Sequence, residues 1–381
     1  MSKEWIIFDM KIKHVDCINM TPAQPYNELP ALPPSIDLES PVLLKASIKA
    51  SRLLAELKGY CQTLPNPNLL INTIILQESK DSSAIENIVT TQDELYRAVI
   101  NTDDLPGTSS ATKEVLLYRE AMYTGLELLQ KRGLTTNTLI AIMQKLKDTT
   151  SGIRRTTGTR LLNPATNETI YTPPEGEDII RNKLAELEKF IHDDEQEIDA
   201  LIKMALIHYQ FEAIHPFADG NGRTGRIINV LYLIDKGLLS LPVLYLSSFI
   251  IKHKNQYYKL LREVSERGNW REWILYMLSA VSETAALTLQ KINSIQQLKE
   301  EVINKAKDAL KGSYSRDLVE LIFSYPYVKI KTLEQHGIAQ RQTASVYLQK
   351  LTAADILHAV RMGKEFYYIN YKLMEIIGSG K

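Results

Sequence analysis

His215-Pro216-Phe217-Ala218-Asp219-Gly220-Asn221-Gly222-Arg223-Thr224-Gly225-Arg226 sets an imidazole, a carboxylate, three glycines and two guanidiniums within twelve residues, just ahead of an apolar run. That run, from about Arg223 to Lys236, has helical rhythm, so Gly220-Asn221-Gly222 forms the loop that opens a helix. Glycines there can turn several backbone N–H groups inward as a nest. The helix dipole points its positive end at the same spot, which makes an anion site. Arg223 and Arg226, three residues apart, share a helix face and can fork onto phosphate oxygens. Asp219 offers a hard oxygen ligand to Mg²⁺, which favours one or two carboxylates plus substrate phosphates. His215, about neutral at pH 7, can take a proton from an attacking hydroxyl. The expected chemistry is that of a phosphate bond.

The rest of the chain sets bounds. Its 381 residues allow two or three domains, and 44% apolar with 24% charged residues is an ordinary globular composition. Lysine plus arginine equal aspartate plus glutamate at 45 each, so no global field draws the chain to nucleic acid or an anionic membrane. Cys17 and Cys61 have no metal spacing, which suggests a reducing compartment. No apolar stretch reaches the ~18 residues of a membrane span, and the N-terminus lacks the layout of a signal peptide. The expected location is cytoplasmic, with no membrane partner.

The twelve residues resemble the Fic family signature H-P-F-x-[D/E]-G-N-G-R-x-x-R, with every fixed position filled. The resemblance implies a mainly α fold, a Fic-type helical core with a short β-hairpin flap. It implies an enzyme that moves AMP from Mg-ATP to a Ser, Thr or Tyr hydroxyl of a protein, with ATP and Mg²⁺ as cofactors. His215 is then the catalytic base, Asp219 the metal ligand, and Gly220, Asn221, Gly222, Arg223, Thr224, Gly225 and Arg226 the nucleotide-binding residues. Self-modification falls within the same expectation; a homodimer is expected, if anywhere, through the C-terminal unit described below.

Upstream lies Asp81-Ser82-Ser83-Ala84-Ile85-Glu86-Asn87. By residue type, Asp81 or Ser82 N-caps a short helix and Glu86 sits one turn in, on the face of Ser82. Taken alone this is a capped surface helix with a solvated glutamate. The segment is also similar to the inhibitory motif [S/T]-x-x-x-E-[G/N] of some Fic proteins, with Ser82, Glu86 and Asn87 at the matching positions. On that resemblance Glu86 pairs with Arg226 and takes the place of the ATP γ-phosphate, so that bound nucleotide resists in-line attack. The motif precedes the signature, which implies intramolecular, N-terminal inhibition.

Elsewhere the pattern is mostly helical. A strand-like Trp5–Phe8 and an extended proline-rich stretch, 22–34, come first. Helices are predicted over 43–58 and 69–77, then from a capping box at Thr91–Glu94 to Ile100. A loop over 103–110 separates these from helices over 112–132 and 138–147, with Gly133 as C-cap. Short strands near 159–162 and 168–171 make a hairpin. By the family resemblance this is a flap, Thr159, Arg160, Leu161 and Leu162, that holds a target backbone by strand addition. Helices over 177–192 and 199–213 follow, and His208 on the second reads as a packed core histidine. Tyr257 and Tyr258 sit at helical positions that suit core packing; the resemblance places them at the adenosine site, where Ser265 replaces an asparagine of some relatives.

After a helix over 285–310 and the linker Lys311-Gly312-Ser313, the rhythm is that of a C-terminal winged-helix domain. Helices over 315–324, 332–336 and 340–351 lead to a hairpin, 356–361 with 365–369, turned at 362–364. The domains expected are thus 1–105, 106–295 and 311–381. DNA reading by the helix at Gln340 is one use of the last unit. Between Gln340 and Asn370, however, four Lys/Arg against two acids leave only +2, so a protein contact suits it at least as well. Rival functions are AMP removal or transfer of another phosphate-containing group at the same site, a nucleotide-sensing winged-helix regulator, and a structural interaction protein.

Overall fold

The computed structural model describes residues 20–62, 68–100, 109–163, 166–362 and 365–378. Helices α1 (Pro41–Gln62), α2 (Asn68–Ile85), α3 (Gln92–Ile100), α4 (Ser110–Arg132) and α5 (Thr136–Lys147) come first. An antiparallel hairpin, β1 (Leu161–Leu162) with β2 (Thr169–Tyr171), precedes α6 (Glu177–His192), α7 (Ala200–Ile214) and α8 (Asn221–Asp235). Next are α9 (Leu246–Lys252), α10 (Lys254–Arg267) and α11 (Trp270–Leu310). The C-terminal unit runs α12 (Arg316–Ser324), β3 (Tyr327–Val328), α13 (Ile330–Gln335), α14 (Arg341–Ala353), β4 (His358–Met362), β5 (Glu365–Ile369) and α15 (Tyr371–Gly378), with antiparallel sheet order β3-β5-β4. The fold is mainly helical with two small sheets, as the sequence leads one to expect.

The core forms around α7, which is apolar on every side and buried nearly throughout. A helix with no polar face must be enclosed, and each buried Leu or Ile there contributes about 1.5–3 kcal/mol. Asp199 caps its start by accepting from Leu201 N and Ile202 N at 3.0 and 3.1 Å. Packing by α1, α6, α8 and α11 encloses it, and the Trp273 indole donates to the Ala205 carbonyl at 2.8 Å. The proline-rich stretch, expected to run extended, instead folds through local turns (Gln24 N to Thr21 O at 2.9 Å, Leu29 N to Tyr26 O at 3.2 Å). It is also tied down: Tyr26 N donates to Thr172 O at 3.0 Å, and Gln210 Nε2 to Pro30 O at 2.8 Å.

Two helices differ from the sequence reading. The helix expected over 69–77 continues to Ile85, so Ser82 is no N-cap, and Glu86 follows the C-terminus of α2 instead of lying one turn into a new helix. No Gly or Pro interrupts 78–85, and the serines find other partners. Ser79 Oγ bonds the Ile75 carbonyl at 2.6 Å and Ser82 is wholly buried. The second difference is α11, which joins the aromatic segment at Trp270 to the helix over 285–310 in 41 residues free of Gly and Pro. At 1.5 Å per residue it spans about 60 Å, and it carries the C-terminal unit: Lys291 Nζ donates to Ile377 O at 2.8 Å. The capping box at Thr91 is present, with Glu94 N on Thr91 Oγ1 at 3.2 Å and Thr91 N on Glu94 Oε2 at 3.3 Å. The strand-like Trp5–Phe8, most of the 103–110 loop and the turn at 363–364 lie outside the described residues.

The C-terminal unit packs back on the elements around α2. Tyr327 stacks on Tyr96 of α3 at 6.0 Å, its hydroxyl donating to Asp93 at 2.6 Å. On α2 itself, buried Glu78 accepts from Ser247 Oγ at 2.5 Å, Ser247 N at 3.0 Å and the Tyr118 hydroxyl at 3.3 Å. Three donors on one carboxylate hold the helix that Glu86 follows.

Candidate functional site

His215 closes α7 in the left-handed conformation, φ 49° and ψ 57°, its amide still bonded to Phe211 O at 3.1 Å. Pro216 cannot continue the helix, so the chain turns away here. Phe217 anchors the turn in the core, 6.1 Å from the Phe211 ring. Asn221 then staples the loop shut: its Oδ1 accepts from Phe217 N at 2.9 Å and its Nδ2 donates to Phe217 O at 2.7 Å. This departs from the sequence reading of Asn221, since its side chain is committed to the loop and shapes the anion site from behind. Gly220, at φ 83°, occupies the N-cap of α8 where an L side chain is strained. Its amide is already taken by Asp219 Oδ1 at 2.5 Å.

The His215 imidazole is held well below its ordinary range, at about 4. Burial is the main cause and the Arg154 charge adds to it; the Glu212 carbonyl, Glu86 and Asp219 pull the other way. The ring is therefore neutral at pH 7, with a lone pair available to a proton donor.

At the start of α8 the two arginines diverge. Arg226 is wholly buried and reaches back to the end of α2, with Nε on Ser82 Oγ at 2.8 Å and Nη2 on Ser82 O at 2.9 Å and Glu86 Oε1 at 2.8 Å. Burial works against its charge, but Glu86 and Glu212 outweigh that and strengthen it. Its Nη1, also buried, has no partner among the described residues and lies 3.1 Å from where a Cβ on Gly222 would be. Glu86 Oε1 lies 2.3 Å from that same point. A carboxylate thus rests over the Gly222 backbone at the α8 N-terminus, the position expected of a phosphate group. Asn87, which follows at φ 62°, accepts from Lys254 Nζ at 3.3 Å.

Arg223 faces the other way. Its Nη1 donates to Glu114 Oε2 at 3.0 Å, and its Nη2 stands 3.8 Å from Asp219 Oδ1. Lys147 Nζ closes the ring, 2.7 Å from Asp219 Oδ2 and 3.2 Å from Glu114 Oε2. The Asp219 carboxyl is held below its ordinary range: burial opposes this, while Lys147 and Arg223 outweigh it. Asp219 thus already seats a cationic group. A lone carboxylate fits Mg²⁺ that takes its other ligands from phosphate and water; among the described residues no three His, Cys, Asp or Glu side chains gather.

Thr224 and Gly225 face the interior. Thr224 is fully buried, and the Gly225 carbonyl lies 3.3 Å from His208 Nδ1. A Cβ on Gly225 would stand 2.4 Å from Glu212 Oε1 and 3.2 Å from the Phe211 ring. Ala is the better helix former by about 1 kcal/mol, but overpacking costs about 1–3 kcal/mol. Gly225→Ala is therefore expected to destabilise by about 1 kcal/mol, read as a lower urea midpoint at unchanged slope.

His208 is the packed histidine expected, stacked on Trp273 and bonded through Nε2 to the Tyr257 hydroxyl at 2.8 Å. Tyr257 is accordingly buried beneath the site, while Tyr258 is exposed beside it. Ser265 bonds the Tyr209 hydroxyl at 2.8 Å. In the hairpin, Leu161 and Leu162 are exposed and paired with Tyr171 and Thr169; Thr159 and Arg160 lie just before the strand. Three contributors have no signal in the sequence: Arg154, Glu114 and Lys147.

Comparisons with known proteins give the following likenesses. Family models match in three stretches: Fic/DOC family N-terminal over 44–127, Fic/DOC family over 133–233, and the C-terminal domain of SoFic-like protein adenylyltransferase over 280–373. The chain is 38% identical over 73 residues to a probable protein adenylyltransferase of Aquifex aeolicus, covering 19% of this chain and 20% of that one. It is 26% identical over 262 residues to the protein adenylyltransferase Fic of Nematostella vectensis, covering 68% and 58%. The chain therefore spans under two thirds of the length of either relative. Among solved structures, a Fic family protein from Desulfovibrio desulfuricans superposes with a TM-score of 0.52 at 19% identity, covering 85% of this chain and 95% of that one. Fic-1 of C. elegans gives 0.52 at 18%, covering 67% and 75%. These two show the likeness of fold.

Proposed function

The chain belongs to the Fic/DOC family, and on that footing we propose that it is an adenylyltransferase, moving AMP from Mg-ATP to a Ser, Thr or Tyr hydroxyl of a protein and restrained by its own Glu86. The observation that carries this is one placement. A neutral imidazole stands at the end of α7 beside a helix N-terminus where a carboxylate and a buried guanidinium already sit as an anion and its receptor.

In the reaction proposed, a target segment lies along the exposed edge of β1, which presents its hydroxyl without reading much sequence. His215 takes the hydroxyl proton as the oxygen attacks the α-phosphorus. The bond to the bridging oxygen breaks and pyrophosphate leaves, its charge met by Arg226, Arg223 and the α8 N-terminus. Asp219 would hold Mg²⁺, which supplies charge neutralisation when bound. With Glu86 in place, Arg226 Nη2 is unavailable to a terminal phosphate. We read the C-terminal unit as a winged helix; its exposed Val346 on α14 and Phe366 on β5 suit a protein contact better than a phosphate-tracking face.

The test is incubation of the full chain with lysate and ATP labelled at the α- or the γ-phosphate. Label from the α-position, with a mass gain of one AMP on a hydroxyl, is the expected result. Label from the γ-position alone would overturn the proposal.

A further inference from the structure

We propose that Arg154 is a positioning residue for His215, tying the backbone of the catalytic turn to the base of the hairpin. The proposal rests on His215 as the base of the reaction above. Arg154 is 4% exposed, and every bond it makes in this region ends on a backbone carbonyl. Its amide donates to Pro216 O at 2.9 Å and its Nε to His215 O at 2.8 Å, while Nη2 donates to the Pro174 carbonyl. Three segments meet in this one side chain: the stretch before the flap, the turn after α7 and the stretch after β2. A second tie joins the same two bodies, since the Tyr171 hydroxyl of β2 donates to Ala213 O at 2.9 Å.

The need for such a residue follows from the backbone. At φ 49° His215 holds a left-handed conformation unfavourable to a side chain with a Cβ. Its carbonyl leaves the helix end with no intrahelical donor, one of the orphan acceptors of a helix C-terminus. Arg154 satisfies that carbonyl through its side chain and the next one through its own amide, so the two carbonyls that follow the imidazole's Cα both have a fixed partner. Only a guanidinium presents several donors in a planar fork; lysine has the charge without the fork. The arrangement also links flap and base. A target strand that loads β1 bears on a hairpin whose trailing end is bonded to the residue that sets the imidazole.

The charge has a separate consequence. The charges that act on the imidazole are Arg154 from the stretch before the flap, Glu86 just after α2 and Asp219 from the α8 loop, with the Glu212 carbonyl of α7 as a hydrogen-bond partner. Arg154 alone among the side chains opposes protonation of the ring, so its removal moves the imidazole up towards the ordinary 6.5.

The experiment uses the full chain with ¹³C-labelled histidine, the His215 signal being assigned by its absence in His215→Ala. Arg154→Lys keeps the charge and loses the fork. It is expected to leave the His215 titration within about 0.5 units of the parent while kcat for AMP transfer falls about tenfold, at unchanged KM for ATP. Arg154→Met loses both; the titration moves up, beyond any change seen in Arg154→Lys, and kcat falls about 100-fold. Should Arg154→Met fail to fold, Arg154→Lys decides alone through the kcat-against-KM split. Titrations and kcat within twofold of the parent in both variants would overturn the assignment, as would a loss seen only in KM. If the parent chain transfers no AMP, the proposed function fails, while the titrations still decide whether Arg154 governs the imidazole.

Discussion

His215→Ala is expected to lower AMP transfer by about 10²–10⁴-fold with little loss of fold, because a general base is worth about that much and this side chain carries little else. The backbone bonds at this position, His215 N to Phe211 O and Arg154 Nε to His215 O, do not involve the imidazole. Nucleotide affinity should hold within a few-fold, since the anion site is built by α8, Arg223 and Arg226. Single-turnover transfer from α-labelled ATP, with nucleotide affinity measured separately, makes the check. Transfer within threefold of the parent would remove His215 from the mechanism. The pH profile gives an independent reading. An imidazole at about 4 stays deprotonated through the acid range in which a free histidine would be charged. The acid limb of kcat/KM is thus expected well below the usual histidine value of ~6.5. The same depression bears on folding: His215 at about 4 and His208 at about 3 bind protons more readily when unfolded. Their share of stability is whole above ~6.5 and is lost as pH falls towards those values.

Much of this site was legible because its parts are local. The signature and the apolar helix that leads to it lie within about thirty residues, and residue type or periodicity reveals each; the left-handed turn at His215 does not show in the sequence. What was hidden depends on distant partners. Ser82 looks like a helix cap by composition, yet its hydroxyl serves Arg226, 144 residues away. Asn221 looks like a ligand group, and loop closure consumes it instead. Arg154 left no mark, since its partners are carbonyls, which every residue possesses. Glu114 and Lys147 are likewise ordinary charges on α4 and α5 until the fold sets them against Asp219 and Arg223. Tyr257 reads equally well as core or ligand contact, and only its bond to buried His208 decides for the core.

Glu86→Gly is expected to raise transfer by at least about tenfold, including transfer onto the chain itself, since each ~1.4 kcal/mol of competition removed is a factor of ten. Two opposing effects decide the size. Removing the carboxylate frees Arg226 Nη2 and clears the space above Gly222, so the terminal phosphate meets a guanidinium that no longer has a competitor. It also strips a buried arginine of its counter-ion. With Glu86 about one-third exposed, solvent screens the pair, and the stability loss falls below the ~3–5 kcal/mol of a fully buried one. Both bonds from Arg226 to Ser82 remain and keep the side chain aimed. A lower melting temperature without nucleotide, recovered on adding Mg-ATP, is therefore expected, because ligand that binds only the folded state restores what the lost carboxylate supplied. Glu86→Gln separates shape from charge. It fills the same space but gives Arg226 a neutral acceptor, so its labelling should fall between parent and Glu86→Gly. If Glu86→Gly labelled no more than the parent while remaining folded, the carboxylate over Gly222 would be a structural contact and no restraint on the reaction.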